Sequence, residues 1–90
     1  MLQIRKQHVL WKDKKGIVTA LMLETGEFLE FNAIGSLIWK ALDAGESVEA
    51  IINQLAATYD VPRERLASDV YAFIVKTTAA GLLEELVEAS

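Results

Sequence analysis

The chain is 90 residues long and 52% of its residues are hydrophobic, which suits one domain with a single core and leaves some apolar surface outside that core. Its 13 acidic and 9 basic side chains give a formal net charge of −4, which disfavours nucleic acid as a partner. The chain contains no cysteine, which excludes disulfides and thiolate metal sites and fits a reducing cytoplasm.

The first third of the chain predicts a meander of three antiparallel strands. Residues 9–11 and 17–23 are rich in β-branched and large apolar side chains, and the polar KDKKG segment between them supplies a turn. Gly26 ends a second short turn, because glycine readily adopts positive φ. Residues 27–31 are therefore expected to fold back as a third strand.

The third predicted strand mixes apolar and acidic side chains. Alternation places Glu27, Leu29 and Phe31 on one face of the sheet. It places Phe28 and Glu30 on the other face. At the edge of a sheet, such a strand leaves amide and carbonyl groups available to another chain, and its two glutamates are the kind of charge that discourages unwanted pairing.

Two helices are predicted next. Asn32 is a good N-cap for the first helix, whose apolar residues follow the i, i+3, i+4 spacing of a buried stripe as far as Gly45. Ser47 caps the second helix, which runs to the DVP segment. Trp39 lies on the first apolar stripe and is expected in the core, whereas Trp11 is as compatible with packing as with a partner contact.

A third and longest helix is predicted from Pro62, which suits the first helical position, to Gly81. Its apolar stripe consists of Leu66, Val70, Phe73, Ile74 and Thr77, the last two interpreted as core residues. The tail, residues 83–90, is expected to add a short helical turn or to fray. The element order predicts an α+β fold with a winged helix-turn-helix-like arrangement, in which a three-stranded antiparallel meander is followed by three helices.

Residues that carry chemistry are nearly absent from the chain. His8 is the single histidine and is interpreted as a solvated residue, and no glycine-rich loop or activated serine accompanies it. Catalysis, a cofactor and a metal site are therefore not predicted. No apolar stretch approaches the roughly 18 residues of a membrane helix, and charges at Arg5 and Lys6 interrupt any export signal. We expect a non-catalytic cytoplasmic protein.

The segment TGEFLEFN leads directly into AIGSLIWKALDAGESVEAIINQLAATYDVPRERLASDVYAFIVKTTAAGLLEE. This ordered set resembles the PqqD-like family, the small peptide-recognition domains (RiPP recognition elements) of pathways that modify ribosomally made peptides. The similarity covers roughly residues 9–85, so residues 1–90 are expected to form one domain of this kind. Its markers are Gly26 with Phe28, Phe31 with Asn32, Ile38 with Trp39, the Gly45-Glu46-Ser47-Val48 turn, Asp69 and Val70 with Phe73, and Gly81-Leu82-Leu83.

The resemblance implies that the leader segment of a precursor peptide adds as a strand to the third strand, in a groove walled by the third helix. Apolar pockets would select anchors, while Asp69 and Lys76 would read polar or charged leader positions. The implied leader-binding residues are Glu27, Phe28, Leu29, Glu30, Phe31, Leu66, Asp69, Val70, Phe73 and Lys76. Proline at Leu29 is expected to weaken binding, provided that the Leu29 amide faces outward.

The resemblance also implies partners: a leader peptidase and a macrocycle-forming ligase, with no nucleic acid or membrane. Lasso peptide biosynthesis is preferred because the chain looks like the stand-alone form of such a domain, and a PqqD-type chaperone of pyrroloquinoline quinone biosynthesis is the nearest alternative. A winged-helix transcription regulator is disfavoured, because the third helix offsets Arg63, Arg65 and Lys76 with Glu64 and Asp69. A subunit that only holds an enzyme together is a third possibility.

Overall fold

The structure, a computed structural model, describes residues 2–85. Strands and helices follow one another as β1 (Leu2–Ile4), β2 (Val9–Lys14), β3 (Ile17–Met22), β4 (Phe28–Glu30), α1 (Ala33–Asp43), α2 (Val48–Thr58), α3 (Arg63–Ala79) and β5 (Leu83–Glu85). Strands β2, β3 and β4 form an antiparallel meander in that spatial order, and the three helices follow it. The α+β class and this order of elements are therefore confirmed.

A second, two-stranded sheet joins the two ends of the described chain and was not predicted. Strand β1 pairs antiparallel with β5, with Leu2 opposite Glu85 and Ile4 opposite Leu83. The prediction of a helical turn is wrong for residues 83–85, which are extended, and residues 86–90 lie outside the described part. Each strand has only three residues, so neither shows enough alternation to be recognised from sequence.

The predicted helix caps determine where the helices begin. Asn32 Oδ1 accepts a hydrogen bond from the Gly35 N–H at 2.7 Å, and Ser47 Oγ accepts one from the Ala50 N–H at 3.1 Å. Pro62 occupies the N-cap position of α3 and not the predicted first helical position. The helix therefore begins one residue later than predicted, at Arg63. Within residues 2–85, no helix combines the length and the apolar character needed to cross a membrane.

The core lies between the inner face of the meander and the helices. Trp39 on α1 is fully buried, which confirms its predicted place in the core. Trp11 on β2 is half-buried and meets Trp39 edge-on, with ring centroids 6.1 Å apart, so packing accounts for much of its surface. On α3, Leu66 and Val70 are also buried, at 1% and 0% exposure.

The first helix is also attached to the hairpin that β2 and β3 form. Lys40 Nζ on α1 donates a hydrogen bond to Asp13 Oδ2 at 2.9 Å. This hydrogen bond is the main reason that the pKa of Asp13 is lowered from its ordinary value. A lowered pKa stabilises the folded state at neutral pH, and that contribution is lost as the pH falls through the folded-state pKa.

A buried serine on α1 provides the hydrogen-bond acceptor for an N–H group of β3 that lies beyond the end of β4. Ser36 Oγ accepts a hydrogen bond from the Val18 N–H at 2.8 Å, and both residues are fully buried. We expect Ser36→Ala to lower the free energy of unfolding by about 1–3 kcal/mol, because the Val18 N–H would remain buried without a partner. Urea denaturation measures this loss, with Ser68→Ala on the exposed side of α3 as the control. Equal stability of the two variants would contradict this role.

Candidate functional site

Strand β4 is an edge strand, because within residues 2–85 it pairs with β3 alone. The Glu27 carbonyl accepts a hydrogen bond from β3 at 2.8 Å, and the Phe31 N–H donates one to β3 at 3.0 Å. Since hydrogen-bonding direction alternates along a strand, the N–H and C=O groups of Phe28 and Glu30 point away from β3. Strands β1 and β5 pair with each other in the other sheet, so neither covers this edge.

The same alternation determines at which positions a substitution can test pairing at the open edge of β4. Leu29 lies opposite Ala20, between the two inward-facing positions, so its N–H faces β3. The expectation that proline at Leu29 would test edge pairing required an outward amide and is therefore wrong. Proline at Leu29 would remove a hydrogen bond of the protein's own sheet, whereas Phe28 and Glu30 carry the groups that another chain would meet.

A groove with a volume of about 380 Å³ runs between β4 and α3. Its apolar lining includes Leu29, Phe31 and Phe73, and the rings of Phe31 and Phe73 meet edge-on with centroids 5.0 Å apart. The complete lining is Glu27, Leu29, Glu30, Phe31, Asn32, Gly35, Phe73, Lys76, Thr77 and Ala80. An unpaired strand edge and an apolar groove thus lie side by side.

A second cavity, of about 270 Å³, adjoins the groove between α1 and α3. Asn32, Gly35 and Phe73 line both spaces, whereas Asp69 lines the second cavity but not the groove. Gly35 allows the aromatic rings to approach α1, since a Cβ there would lie 3.1 Å from Phe73 Cε2 and 3.3 Å from Phe31 Cβ. Phe73 therefore separates two compartments on one side of α3.

The implied leader-binding residues fall into four groups. Six of them line the groove: Glu27, Leu29, Glu30, Phe31, Phe73 and Lys76. Alternation along β4 nevertheless places the Glu30 side chain on the opposite face of the sheet, together with that of Phe28. Asp69 lines the adjoining cavity, and Phe28 has 61% of its surface exposed on the opposite face of the sheet. Leu66 and Val70 line neither space and are buried in the core.

Four further residues line the groove that sequence reasoning did not assign to it, namely Asn32, Gly35, Thr77 and Ala80. Thr77 and Ala80 follow Phe73 by four and seven residues, a spacing that places all three on one face of a helix. That spacing was available in the sequence. The sequence did not show which side of the α3 stripe faces the strand edge, because the whole stripe was assigned to core or groove by apolarity alone.

Two charged side chains at the groove and one on the outer face of β4 have no ion-pair partner within residues 2–85. Glu27 and Lys76 at the groove and Glu30 on the outer face are all exposed. Their solvated side chains add little to the stability of the fold. They remain available to charges on a bound molecule.

The fold and this site define a class of small α+β domain that presents an open sheet edge beside a groove walled by a helix. The chain belongs to the PqqD family: the family model described as coenzyme PQQ synthesis protein D (PqqD) matches residues 18–83. No curated protein matches the chain significantly.

Two solved structures resemble the chain over nearly its whole length. A structure of TbiB1 in complex with the TbiA(beta) leader peptide is 29% identical, with a TM-score of 0.88 over 96% of this chain and 99% of that one. A structure of lasso peptide synthetase B1 complexed with the leader peptide is 20% identical, with a TM-score of 0.85 over 93% of this chain and 98% of that one. The second likeness shows the fold alone.

Proposed function

We propose that this protein is a non-catalytic module that binds the leader segment of a ribosomally made precursor peptide as an additional strand on β4, beside α3. The single observation that carries the proposal is the open edge, where the main-chain groups of Phe28 and Glu30 point outward next to the groove. The likeness to TbiB1, whose structure contains a leader peptide, supports the same function. Presentation of the bound leader to other enzymes follows as the purpose of binding.

The edge alone is too short to hold a disordered guest. Phe28 and Glu30 offer two donors and two acceptors, and at about 0.5–1.5 kcal/mol each these hydrogen bonds contribute about 2–6 kcal/mol. Micromolar affinity requires about 8 kcal/mol, and ordering the guest costs more. Because burying one large apolar side chain adds about 1.5–3 kcal/mol, the groove must supply the rest of the affinity.

The groove gives the module its selectivity for leader sequences. A guest residue opposite Leu29 directs its side chain to the same face as Leu29, towards the groove. Apolar anchors bind there against Phe31 and Phe73, while Lys76 and Asp69 face polar or charged guest positions on the α3 side. Leu66 and Val70 act indirectly, since they fix α3 to the core.

A module of this kind accelerates processing without catalysing it. Bound to both the leader and an enzyme, it raises the effective concentration of the substrate at the enzyme. We propose a leader peptidase and a macrocycle-forming ligase of lasso peptide biosynthesis as the enzymes, because TbiB1 and the lasso peptide synthetase B1 share the fold. A chaperone role in pyrroloquinoline quinone biosynthesis is the second candidate, favoured by the description of the matching family.

Amide hydrogen exchange tests strand addition at single residues. We expect a bound peptide, either the TbiA(beta) leader or one selected from a randomised display library, to slow exchange at Phe28 and Glu30 by about tenfold or more. The Leu29 amide, which already pairs with β3, serves as the internal control and should change little. NMR measures all three amides in one experiment, and anisotropy of the labelled peptide gives the affinity.

Two results would contradict the proposal in different ways. Failure of the library to yield any peptide that binds the folded protein would reject peptide binding. Tight binding with unchanged exchange at Phe28 and Glu30 would reject addition to the β4 edge and leave a peptide site elsewhere.

A further inference from the structure

The outer face of the meander carries two rows of side chains that run across the strands. Leu10 lies opposite Leu21, and Leu21 lies opposite Phe28, which makes an apolar row. Two residues further along the strands, Lys12, Thr19 and Glu30 make a polar row in the same way. Both rows end on β4, at the two residues whose main-chain groups point outward.

The apolar row is open to solvent at both of its ends. Leu10 and Phe28 have 58% and 61% of their surface exposed, although both are large hydrophobic residues. A shallow depression of about 210 Å³ is lined by the three residues of this row and by Trp11, Lys12 and Thr19. The helices pack on the inner face of the sheet, so within residues 2–85 no element covers this row.

The polar row ends at a charged residue on β4, Glu30. Glu30 is exposed and makes no ion pair in the described chain. Lys12 stands at the far end of the same row, two strand spacings or about 10 Å away, and is too distant to neutralise it. A basic residue on the next strand would lie directly beside Glu30.

Strand addition continues each row by one residue of the guest. In a sheet, residues directly opposite each other place their side chains on the same face, with Cβ atoms close enough to interact. The guest residues opposite Phe28 and Glu30 therefore point to the outer face, two positions apart. The guest residue between them points to the groove.

We infer that the outer face of the sheet also selects the bound peptide, with a large apolar side chain opposite Phe28 and a lysine or arginine opposite Glu30. This inference rests on the proposed function, because it requires the peptide to add to β4. It assigns the substrate a pattern that the groove alone does not impose: two alternate residues, apolar and cationic, on one face of the guest strand. Each cross-strand pair is expected to change affinity about two- to fivefold.

A display selection with randomised peptides tests the pattern. On the native protein we expect enrichment of Lys or Arg two positions from a large apolar residue. On Glu30→Lys the cationic preference should change to Asp or Glu, whereas Asp60→Lys, which alters the same charge at an exposed turn between α2 and α3, should leave it unchanged. On Phe28→Thr, the apolar preference at the other position should disappear.

A charge swap supplies a second measurement on purified components. Reversing the cationic residue of a selected peptide should weaken its binding to the native protein, and Glu30→Lys should restore that loss, as measured by anisotropy. Identical selected patterns on native protein and Glu30→Lys, or failure of the swap to restore affinity, would overturn the inference. If those peptides still protect the Phe28 and Glu30 amides, the proposed function stands without the outer-face preference. If no peptide binds, both fall together.

Discussion

Replacing Glu30 with proline is expected to weaken peptide binding at least about tenfold while the protein stays folded. Proline has no N–H, and the N–H of Glu30 points away from β3, so the protein's own sheet loses no hydrogen bond. A guest strand would no longer receive the hydrogen bond from the N–H of residue 30, and one of its own carbonyl groups would remain unpaired. Together these losses cost about 1.4 kcal/mol or more of binding free energy. Anisotropy of a labelled peptide measures the affinity, and urea denaturation measures the stability.

The neighbouring residue provides the matched control. Leu29→Pro removes the N–H that faces β3 and leaves the buried Ala20 carbonyl without its partner, so it should lower the free energy of unfolding by about 1–3 kcal/mol. The two substitutions differ by one position on the same short strand but act on opposite edges of it. A Glu30→Pro variant that is folded and binds with unchanged affinity would exclude main-chain pairing at β4.

Replacing Phe73 with alanine is expected to weaken peptide binding about thirtyfold. The Phe73 ring lines the groove and the adjoining cavity, and it meets Phe31 with a centroid distance of 5.0 Å. Truncating an aromatic residue at the centre of a desolvated contact typically costs 2 kcal/mol or more of binding energy, or about thirtyfold in affinity. We also expect a loss of folding stability of about 2–3 kcal/mol, below the 3–5 kcal/mol of a fully buried phenylalanine.

A control substitution on the same helix distinguishes loss of the groove contact from a general disturbance of α3. Val75 is 68% exposed and lines neither the groove nor the adjoining cavity, so Val75→Ala should change stability by less than about 0.5 kcal/mol and leave binding unaltered. Phe73→Leu keeps an apolar lining without the ring and should fall between the two. Native affinity in Phe73→Ala, measured on folded protein, would show that the peptide does not use this groove.

The elements with strong local signals were predictable from the sequence. Asn32 and Ser47 cap the helices as expected, because each side-chain oxygen is followed three residues later by the N–H that it accepts from. The hairpin turns and the order of strands and helices also follow from local residue preferences. By contrast, β1 and β5 lie more than 70 residues apart in the chain and pair over three residues each, so no local signal marks them.

The candidate site was predictable only in part, because its geometry depends on long-range pairing. Sequence alternation separates Leu29 from Phe28 and Glu30, but the hydrogen bonds between β3 and β4 decide which set of amides faces outward. The stripe on α3 likewise indicates a buried face without showing where the core ends. Leu66 lies inside the core and Phe73 at its margin, and only the packing of α3 against α1 and β4 distinguishes them.

The shortness of β4 also has a kinetic consequence. If pairing along only three residues holds the affinity of a guest strand at the micromolar level, an ordinary association rate of about 10⁶ M⁻¹s⁻¹ implies dissociation in about a second. Such a residence time is long enough for an enzyme to engage the captured chain and short enough for prompt departure. Under the proposed function, one copy of the protein would therefore bind many precursor peptides in succession.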